Sequence, residues 1–157
     1  MNLNFPEIKS FALMIDLDGS LKTESWDKNY EDKIKVHEKV YRFKIRPHIK
    51  EFLTIMGRLG DIYINTKATS RYCSKFIKFM DISNLITGYI SRDELVLKNR
   101  YRKIILIDND HEIALEKIHF LKKHADKVET ILIPTYRGND SDKELLKLIS
   151  EIRVKAG

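Results

Sequence analysis

An apolar stretch near the start of the chain ends abruptly in two carboxylates and a glycine. Residues 11–15 read Phe-Ala-Leu-Met-Ile, and Asp-Leu-Asp-Gly follows at residues 16–19. The length and residue types of this stretch predict a buried strand, and open α/β folds bind their ligands where such strands end. Two acids one residue apart repel each other unless a divalent cation or a lysine lies between them. Taken alone, Asp-x-Asp-Gly is also typical of a plain turn.

The composition favours one domain. The chain has 157 residues, of which 43% are hydrophobic, which is enough for one core, so we predict a single domain over residues 1–157. Neither a charged-then-apolar leader nor an apolar run of membrane-spanning length is visible in the sequence, which predicts an intracellular protein, cytoplasmic or nuclear, with no membrane partner. The single cysteine, Cys73, excludes an internal disulfide and agrees with a reducing compartment.

The net charge of +6 favours anionic partners, such as phosphorylated protein or nucleic acid. The 29 lysine and arginine residues are spread along the chain, so ordinary solvated surface accounts for most of them. The local candidate for nucleic-acid contact is the segment 98–103, Lys-Asn-Arg-Tyr-Arg-Lys, which mixes cations with an aromatic ring. A solvated approach to the next strand explains that segment equally well.

Short apolar runs alternate with amphipathic stretches along the rest of the chain. We predict strands at 61–66, 103–108 and 130–134, a half-buried strand at 40–45 with a hairpin partner near Val36, and a loop over 22–33. Apolar residues at helical spacing predict helices after Pro47 up to Gly60, at 73–80, at 113–121, and from a Ser141–Glu144 capping box to 152. The alternation predicts an α/β fold, a parallel sheet with helices on both faces.

Polar side chains follow three of the predicted strands. They are Asp16 and Asp18 at the end of the first strand, Thr66 at the end of the second, and Asp108, Asn109 and Asp110 at the end of the third. Because the carboxyl ends of parallel strands share one edge of a sheet, we expect these side chains to converge. Oxygen ligands of this kind suit Mg²⁺, and a nearby lysine, Lys98 or Lys103, would keep a nucleophilic carboxylate ionised and bind phosphate.

Six segments together resemble a known family. They are 16–21 (Asp-Leu-Asp-Gly-Ser-Leu), 46–53 (starting Arg-Pro), 66–81, 91–94 (Ser-Arg-Asp-Glu), 107–109 (Ile-Asp-Asn) and 141–146. These segments are similar to the motifs of haloacid-dehalogenase (HAD) superfamily phosphatases. Within that superfamily, they resemble the small RNA polymerase II C-terminal-domain phosphatases and the nuclear-LIM-interactor (NLI)-interacting-factor-like domains. The resemblance covers about residues 11–152 and implies a HAD-like, Rossmann-like fold with a minimal cap or none.

The resemblance implies a magnesium-dependent phosphatase that works through a phospho-aspartate. Asp16 would attack phosphorus, and Asp18 would protonate the leaving oxygen and then activate water. Thr66 would hydrogen-bond the phosphoryl oxygens, and Lys98 would neutralise them. The family's metal ligands correspond to Asp16, the Asp18 carbonyl and Asn109.

Three further residues complete the set that the resemblance implies. Asp108 would lie beside the metal, and Ser20 and Arg92 are the remaining candidates for substrate contact. Lys98 lies closer in sequence to the segment 107–109 than the family's usual active-site lysine does. Lys103 is the alternative candidate for that lysine. The stretch 81–98 is also too short for the insert that helps the family hold a peptide.

Three functions stay open at this point. The first is a phosphatase acting on phosphoserine or phosphothreonine in protein, because a chain without room for a large cap leaves its site open to a bulky substrate. The second is a phosphatase of nucleic-acid ends. The third is a binding module that keeps the fold without the reaction.

Overall fold

The computed structural model describes residues 8–25, 29–93, 97 and 99–157. The elements of the described chain are, in order, β1 (Ile8–Asp16), β2 (Lys22–Glu24), β3 (Asp32–Val36), β4 (Lys39–Ile45), α1 (Ile49–Gly57), β5 (Asp61–Asn65), α2 (Ser70–Met80), β6 (Gly88–Ile90), β7 (Arg100–Asp108), α3 (His111–Leu121), β8 (Ala125–Leu132) and α4 (Glu144–Ala156).

A five-stranded parallel sheet with β1 at its centre organises the fold. The strand order is β6-β5-β1-β7-β8, and each neighbouring pair is parallel. The register places Asp16 beside Asn65 of β5 and Ile15 beside Ile107 of β7. The ends of β1, β5 and β7 therefore lie side by side at one edge, as the sequence predicts.

Alternate residues of β1 face two separate cores. Leu13 and Ile15 belong to the larger core with the inner faces of α1, α2 and α4. Ala12 and Met14 belong to the smaller core with the inner face of α3. A strand covered on both faces is apolar along its length, which is why 11–15 shows no polar alternation. The prediction of a parallel sheet with helices on both faces is confirmed.

A small antiparallel sheet is inserted between β1 and β5. Its strand order is β2-β4-β3. The hairpin predicted around Val36 is confirmed as β3 and β4. The prediction of a loop over 22–33 is wrong at both ends, because β2 pairs with β4 at 22–24 and β3 begins at Asp32. No separate cap domain is evident within the described ranges.

Two local predictions about helix ends are wrong. The helix α1 ends at Gly57, so Gly60 does not close it. A glycine is required at position 60 for another reason, because a Cβ there would collide with the Phe11 carbonyl oxygen. Ser141 does not cap α4; the Asp142 carboxylate accepts from the Glu144 N–H at 3.1 Å.

None of the helices in the described segments has the length and apolarity that crossing a membrane requires.

Candidate active site

The carboxyl edge of the parallel sheet gathers the polar residues that the sequence singled out. Asp16 is the last residue of β1 and Asp108 is the last residue of β7. Thr66 directly follows β5 and is 4% exposed, and its backbone N–H donates to the Ile90 carbonyl at 2.9 Å. Strand register alone therefore brings three segments of the chain, far apart in sequence, to one point.

Asp16 has the environment of a strongly perturbed carboxyl. Its side chain is only 13% exposed. Burial, followed by the nearby Asp108 carboxylate, raises the pKa of Asp16 to about 8, while the Lys117 ammonium acts in the opposite direction. A nucleophilic carboxylate needs its ionised form, so added positive charge would make Asp16 reactive at neutral pH.

The Asn109 amide meets two oxygen atoms of the first motif. Its nitrogen donates to Asp16 Oδ2 at 2.9 Å and to the Asp18 carbonyl oxygen at 3.0 Å, and its oxygen accepts from Thr135 Oγ1 at 3.1 Å. A side chain of β1, a backbone carbonyl of the following loop and a side chain at the end of β7 therefore converge at one point.

The same three groups fit a hard cation when the amide turns its oxygen towards the other two. Mg²⁺ takes oxygen ligands and usually binds through one or two carboxylates, with water and phosphate completing its shell. Clusters of three or more His, Cys, Asp or Glu side chains suited to a metal do not occur among the described residues. The candidate set therefore consists of one carboxylate, one backbone carbonyl and one amide: Asp16, Asp18 and Asn109.

Gly19 makes the approach of Asn109 possible. Its φ of +84° lies in the left-handed region that side chains disfavour. A Cβ at this position would lie 2.7 Å from Asn109 Cγ. The glycine after the two acids thus permits both the turn and the close packing of the β7 end on the β1 end.

Ser20 lies under the site, away from its open face. Its side chain is fully buried. The hydroxyl lies 3.5 Å from Asp16 Oδ2 and 3.4 Å from the Asn109 amide. This placement suits the orientation of the candidate metal ligands better than direct contact with a substrate.

Two clefts open beside the site. One, of about 420 Å³, has an apolar wall that includes Phe120 and is bordered by Thr66 and Lys117. The other, of about 400 Å³, lies between the small sheet and α2, with Asp18 at its edge. Arg92, which the resemblance offers as a candidate for substrate contact, is exposed and borders both clefts.

Lys117 is a functional candidate that the sequence reasoning missed. Its Nζ lies 3.4 Å from Asp108 Oδ2 and 3.9 Å from Asp16 Oδ1, and its side chain is 16% exposed. Spacings of three and four residues put it on one helix face with the buried Ala114 and Leu121. A lysine on the buried face of the helix that starts at the site was the available signal.

The sequence offers Lys98 and Lys103 as candidates for the active-site lysine. Lys98 lies outside the described residues. Lys103 lies five residues before Asp108 on β7, which is about 16 Å along the strand, and its Nζ is 3.8 Å from Glu129 Oε1. Lys103 therefore faces the other end of the sheet.

A buried arginine connects the loop after Asp18 to other segments of the chain by hydrogen bonds. Arg46 is fully buried and donates to the Ser20 carbonyl at 3.0 Å and to the Pro134 carbonyl at 2.9 Å. Two of its nitrogens also contact Asp142 at 2.8 and 3.1 Å. The Arg-Pro motif predicted to start α1 thus also supports the floor of the site.

Comparison with known families gives a match to almost the whole chain. The model of the NLI interacting factor-like phosphatases matches residues 11–156. This chain belongs to that family. The resemblance stated from the motifs is thereby confirmed, and the motifs 16–21, 66–81 and 107–109 all lie within the matched region.

Individual relatives are more distant. The chain is 31% identical over 98 residues to an RNA polymerase II C-terminal domain phosphatase of Caenorhabditis elegans, covering 55% of this chain and 15% of that protein. It is 24% identical to the mitochondrial import inner membrane translocase subunit TIM50 of Yarrowia lipolytica, covering 92% of this chain and 30% of that protein. The chain thus spans less than a third of either relative.

Solved structures confirm the fold. A fission yeast RNA polymerase II CTD phosphatase, Fcp1, bound to beryllium fluoride, matches with a TM-score of 0.59 and 17% identity over 94% of this chain and 50% of that one. The HAD domain of the effector protein Lem4 from Legionella pneumophila matches with a TM-score of 0.58 and 14% identity over 95% and 96%. At these identities, the likeness establishes the HAD-like fold alone.

Proposed function

We propose that the protein is a magnesium-dependent phosphomonoester hydrolase that passes through a phosphoryl group on Asp16. The observation that carries the proposal is the position of Asp16, which is buried at the sheet edge with Oδ2 beside the Asn109 amide and Oδ1 beside the Lys117 ammonium. Membership of a phosphatase family supports the reaction class.

Asp16 and Asp18 have different tasks in the proposed reaction: one attacks phosphorus and the other transfers protons. An Asp16 oxygen attacks phosphorus, the bond to the leaving oxygen breaks, and Asp18 gives that oxygen its proton. Asp18 then takes a proton from water, which attacks the phosphoryl group and releases phosphate. The half-exposed Asp18 side chain, at the edge of a cleft, can reach both the leaving group and solvent.

Positive and hydrogen-bonding groups stabilise the transferred phosphoryl group. Mg²⁺, held by Asp16, the Asp18 carbonyl and Asn109 with Asp108 beside it, would supply the positive charge that phosphoryl transfer needs. Thr66 offers a hydroxyl at the same edge. Because Lys117 already contacts two of these acids, we assign it the role of the active-site cation in addition to the family-derived candidate Lys98.

The open edge favours a macromolecular substrate. The described chain carries only a three-stranded insert beside the site, and Arg92 lies on the surface between two clefts. A phosphorylated side chain on a protein segment can enter such a site, with the arginine available for its anionic groups. We therefore favour phosphoserine or phosphothreonine in protein as substrate and propose an intracellular location.

The nucleic-acid alternative loses its local support. Residues 100–103 of the basic segment 98–103 are the first residues of β7, whereas the site lies at its end, so Arg100 is about 26 Å along the strand from Asp108. Arg100 also pairs with Asp126, and Tyr101 is buried. The described part of this segment therefore does not border the site.

A non-catalytic binding module is the second candidate. Its support is the similarity to TIM50, a relative named as a translocase subunit. In this chain, the carboxyl groups of Asp16 and Asp18 and the amide of Asn109 are all present, which favours catalysis. A protein that bound a partner but failed to hydrolyse any phosphomonoester in the presence of Mg²⁺ would support the binding module.

The purified protein tests these alternatives directly. With Mg²⁺, we expect turnover of phosphoserine and phosphothreonine peptides, slower turnover of oligonucleotides phosphorylated at the 3′ or 5′ end, and no turnover by Asp16→Asn. Faster turnover of the oligonucleotides would favour the nucleic-acid function, and undiminished turnover by Asp16→Asn would contradict the mechanism.

A further inference from the structure

Lys22 is a buried charge next to the proposed acid/base. It is the first residue of β2, and its side chain is 0% exposed. Its backbone closes the loop after β1, since the Gly19 N–H donates to the Lys22 carbonyl at 2.7 Å and the Lys22 N–H donates to the Leu17 carbonyl at 3.1 Å. The position of the side chain is therefore fixed by the same loop that carries Asp18.

The ammonium group has two carboxylate partners and three aromatic neighbours. Lys22 Nζ contacts Asp18 Oδ1 directly and lies 3.0 Å from Glu24 Oε1. The ring centroids of Tyr72, Phe43 and Phe76 lie 5.1, 5.7 and 5.9 Å from the nitrogen. The charge is thus held between the aromatic core and the rim of a cleft.

Packing does not account for a lysine at this position. Burying an ammonium group has a large desolvation cost, and an apolar side chain of similar length would suit the aromatic neighbours. The carboxylate partners do not need the lysine for their own solvation, because the side chains of Asp18 and Glu24 are 54% and 38% exposed. With an apolar residue at position 22, the Asp18 carboxylate would lose the contact that fixes its direction.

We propose that Lys22 is a positioning residue: its Nζ holds Oδ1 of the Asp18 carboxyl, so that the other oxygen, Oδ2, carries the proton that goes to the leaving oxygen. This inference rests on the proposed phosphatase function. A half-exposed aspartate left to itself samples several rotamers, and a hydrogen bond from a buried, immobile ammonium group to one of its oxygens selects one of them. Lys22 does not touch the phosphoryl group; it acts through Asp18.

The inference predicts a dependence on the leaving group. A serine alkoxide is a poor leaving group and needs a well-placed acid, whereas 4-nitrophenolate leaves with little help. The ratio kcat/KM covers only the steps up to release of the alcohol, so it isolates this proton transfer from the later attack of water. A misplaced Asp18 should therefore lower kcat/KM for phosphoserine peptide much more than for 4-nitrophenyl phosphate.

The test compares Lys22→Met and Lys22→Gln with the wild type and with Lys103→Met, a control that removes another carboxylate-paired lysine at the far end of the sheet. For both Lys22 variants, we expect kcat/KM for the peptide to fall at least about tenfold more than kcat/KM for the aryl phosphate. For Lys22→Met, we also expect a melting temperature no lower than that of the wild type. Lys103→Met should leave the ratio of the two substrates unchanged.

Each result decides the matter. Equal losses on both substrates, or a Lys22→Met protein that fails to fold, would show that Lys22 is structural and would overturn the inference while leaving the phosphatase function intact. A wild-type protein that hydrolyses neither substrate with Mg²⁺ would overturn the proposed function and this inference together.

Discussion

The Nζ atom of Lys117 lies 3.9 Å from Oδ1 of Asp16. The helix α3, which follows β7, thus places a cation at the end of β1. The same nitrogen lies 3.4 Å from Asp108 Oδ2. One ammonium group thus lies between two carboxylates that would otherwise repel each other at low exposure. It supplies part of the positive charge that Asp16 and Asp108 need at this edge of the sheet.

Replacing Lys117 should remove this charge from the site. We expect Lys117→Met to lower kcat about 10²- to 10³-fold, the usual effect of deleting one group that stabilises a charged transition state. Lys103→Met is the matched control and should retain wild-type kcat, because Lys103 lies at the other end of β7. Steady-state kinetics with 4-nitrophenyl phosphate measures both.

The same assay decides the role of Lys98. If Lys98→Met abolishes turnover while Lys117→Met does not, the family-derived lysine is the active one and the assignment of Lys117 is wrong. Comparable losses in both variants would mean that the two lysines share the work.

The pKa of Asp16 predicts how stability depends on pH. Burial and then Asp108 raise this pKa to about 8, so the folded state binds a proton more tightly than the unfolded chain does. The resulting stabilisation is complete below about pH 4 and is lost as the pH rises towards 8, by no more than about 1.4 kcal/mol per pH unit. Denaturant unfolding in a chelator should show this fall.

Asp16→Asn is the control for that measurement. It lacks the titrating group, so its unfolding free energy should fall less steeply than that of the wild type between pH 5 and 8. Added Mg²⁺ should stabilise the wild type most at the high end of the range, where protons no longer compete for the carboxylate. Parallel curves for the two proteins would contradict the raised pKa.

The Arg46–Asp142 pair predicts a large loss of stability. Arg46 is 0% exposed and Asp142 is 13% exposed, and Asp142→Asn would leave a buried guanidinium without its counter-charge. We expect a loss of about 3–5 kcal/mol in unfolding free energy. Asp126→Asn removes the carboxylate of the exposed Arg100 pair and should cost no more than about 1 kcal/mol. Similar losses from both variants would contradict this account of Arg46.

Two glycines should respond in opposite ways to alanine. Gly19→Ala forces a side chain into the left-handed region and against Asn109, so we expect both a loss of about 1–2 kcal/mol in stability and loss of turnover. Gly57 ends a helix where the nearest atom to an added Cβ lies 3.8 Å away, so Gly57→Ala should stabilise the protein by about 0.5–1 kcal/mol with normal turnover. Normal turnover by Gly19→Ala would contradict the close packing on Asn109.

The convergence of Asp16, Thr66 and Asp108 was predictable because it depends only on strand order and direction. Each residue ends an apolar run, and parallel strands share their carboxyl edge. The need for Gly19 after the acids was also visible, since a glycine there indicates a special backbone conformation. These features are local in sequence, and the sheet brings them together without further information.

Lys117 and Lys22 were harder to predict because their roles depend on tertiary packing. Lys117 is nine residues beyond Asp108, and the packing of α3 against the sheet brings its side chain back to the site. Lys22 looks like part of a polar loop until β2 pairs with β4 and encloses it among aromatic rings. The prediction for Gly60 was wrong for the same reason, because its contact with Phe11 joins two elements that are distant in sequence.

Formation of a phosphoryl group on Asp16 is the central claim, and beryllium fluoride tests it most directly, since it mimics an acyl phosphate. ¹⁹F NMR of the protein with Mg²⁺ and beryllium fluoride should show a bound resonance for the wild type that is absent without Mg²⁺ and absent from Asp16→Asn. A resonance that persists in Asp16→Asn, or a wild-type protein that gives none, would contradict Asp16 as the nucleophile.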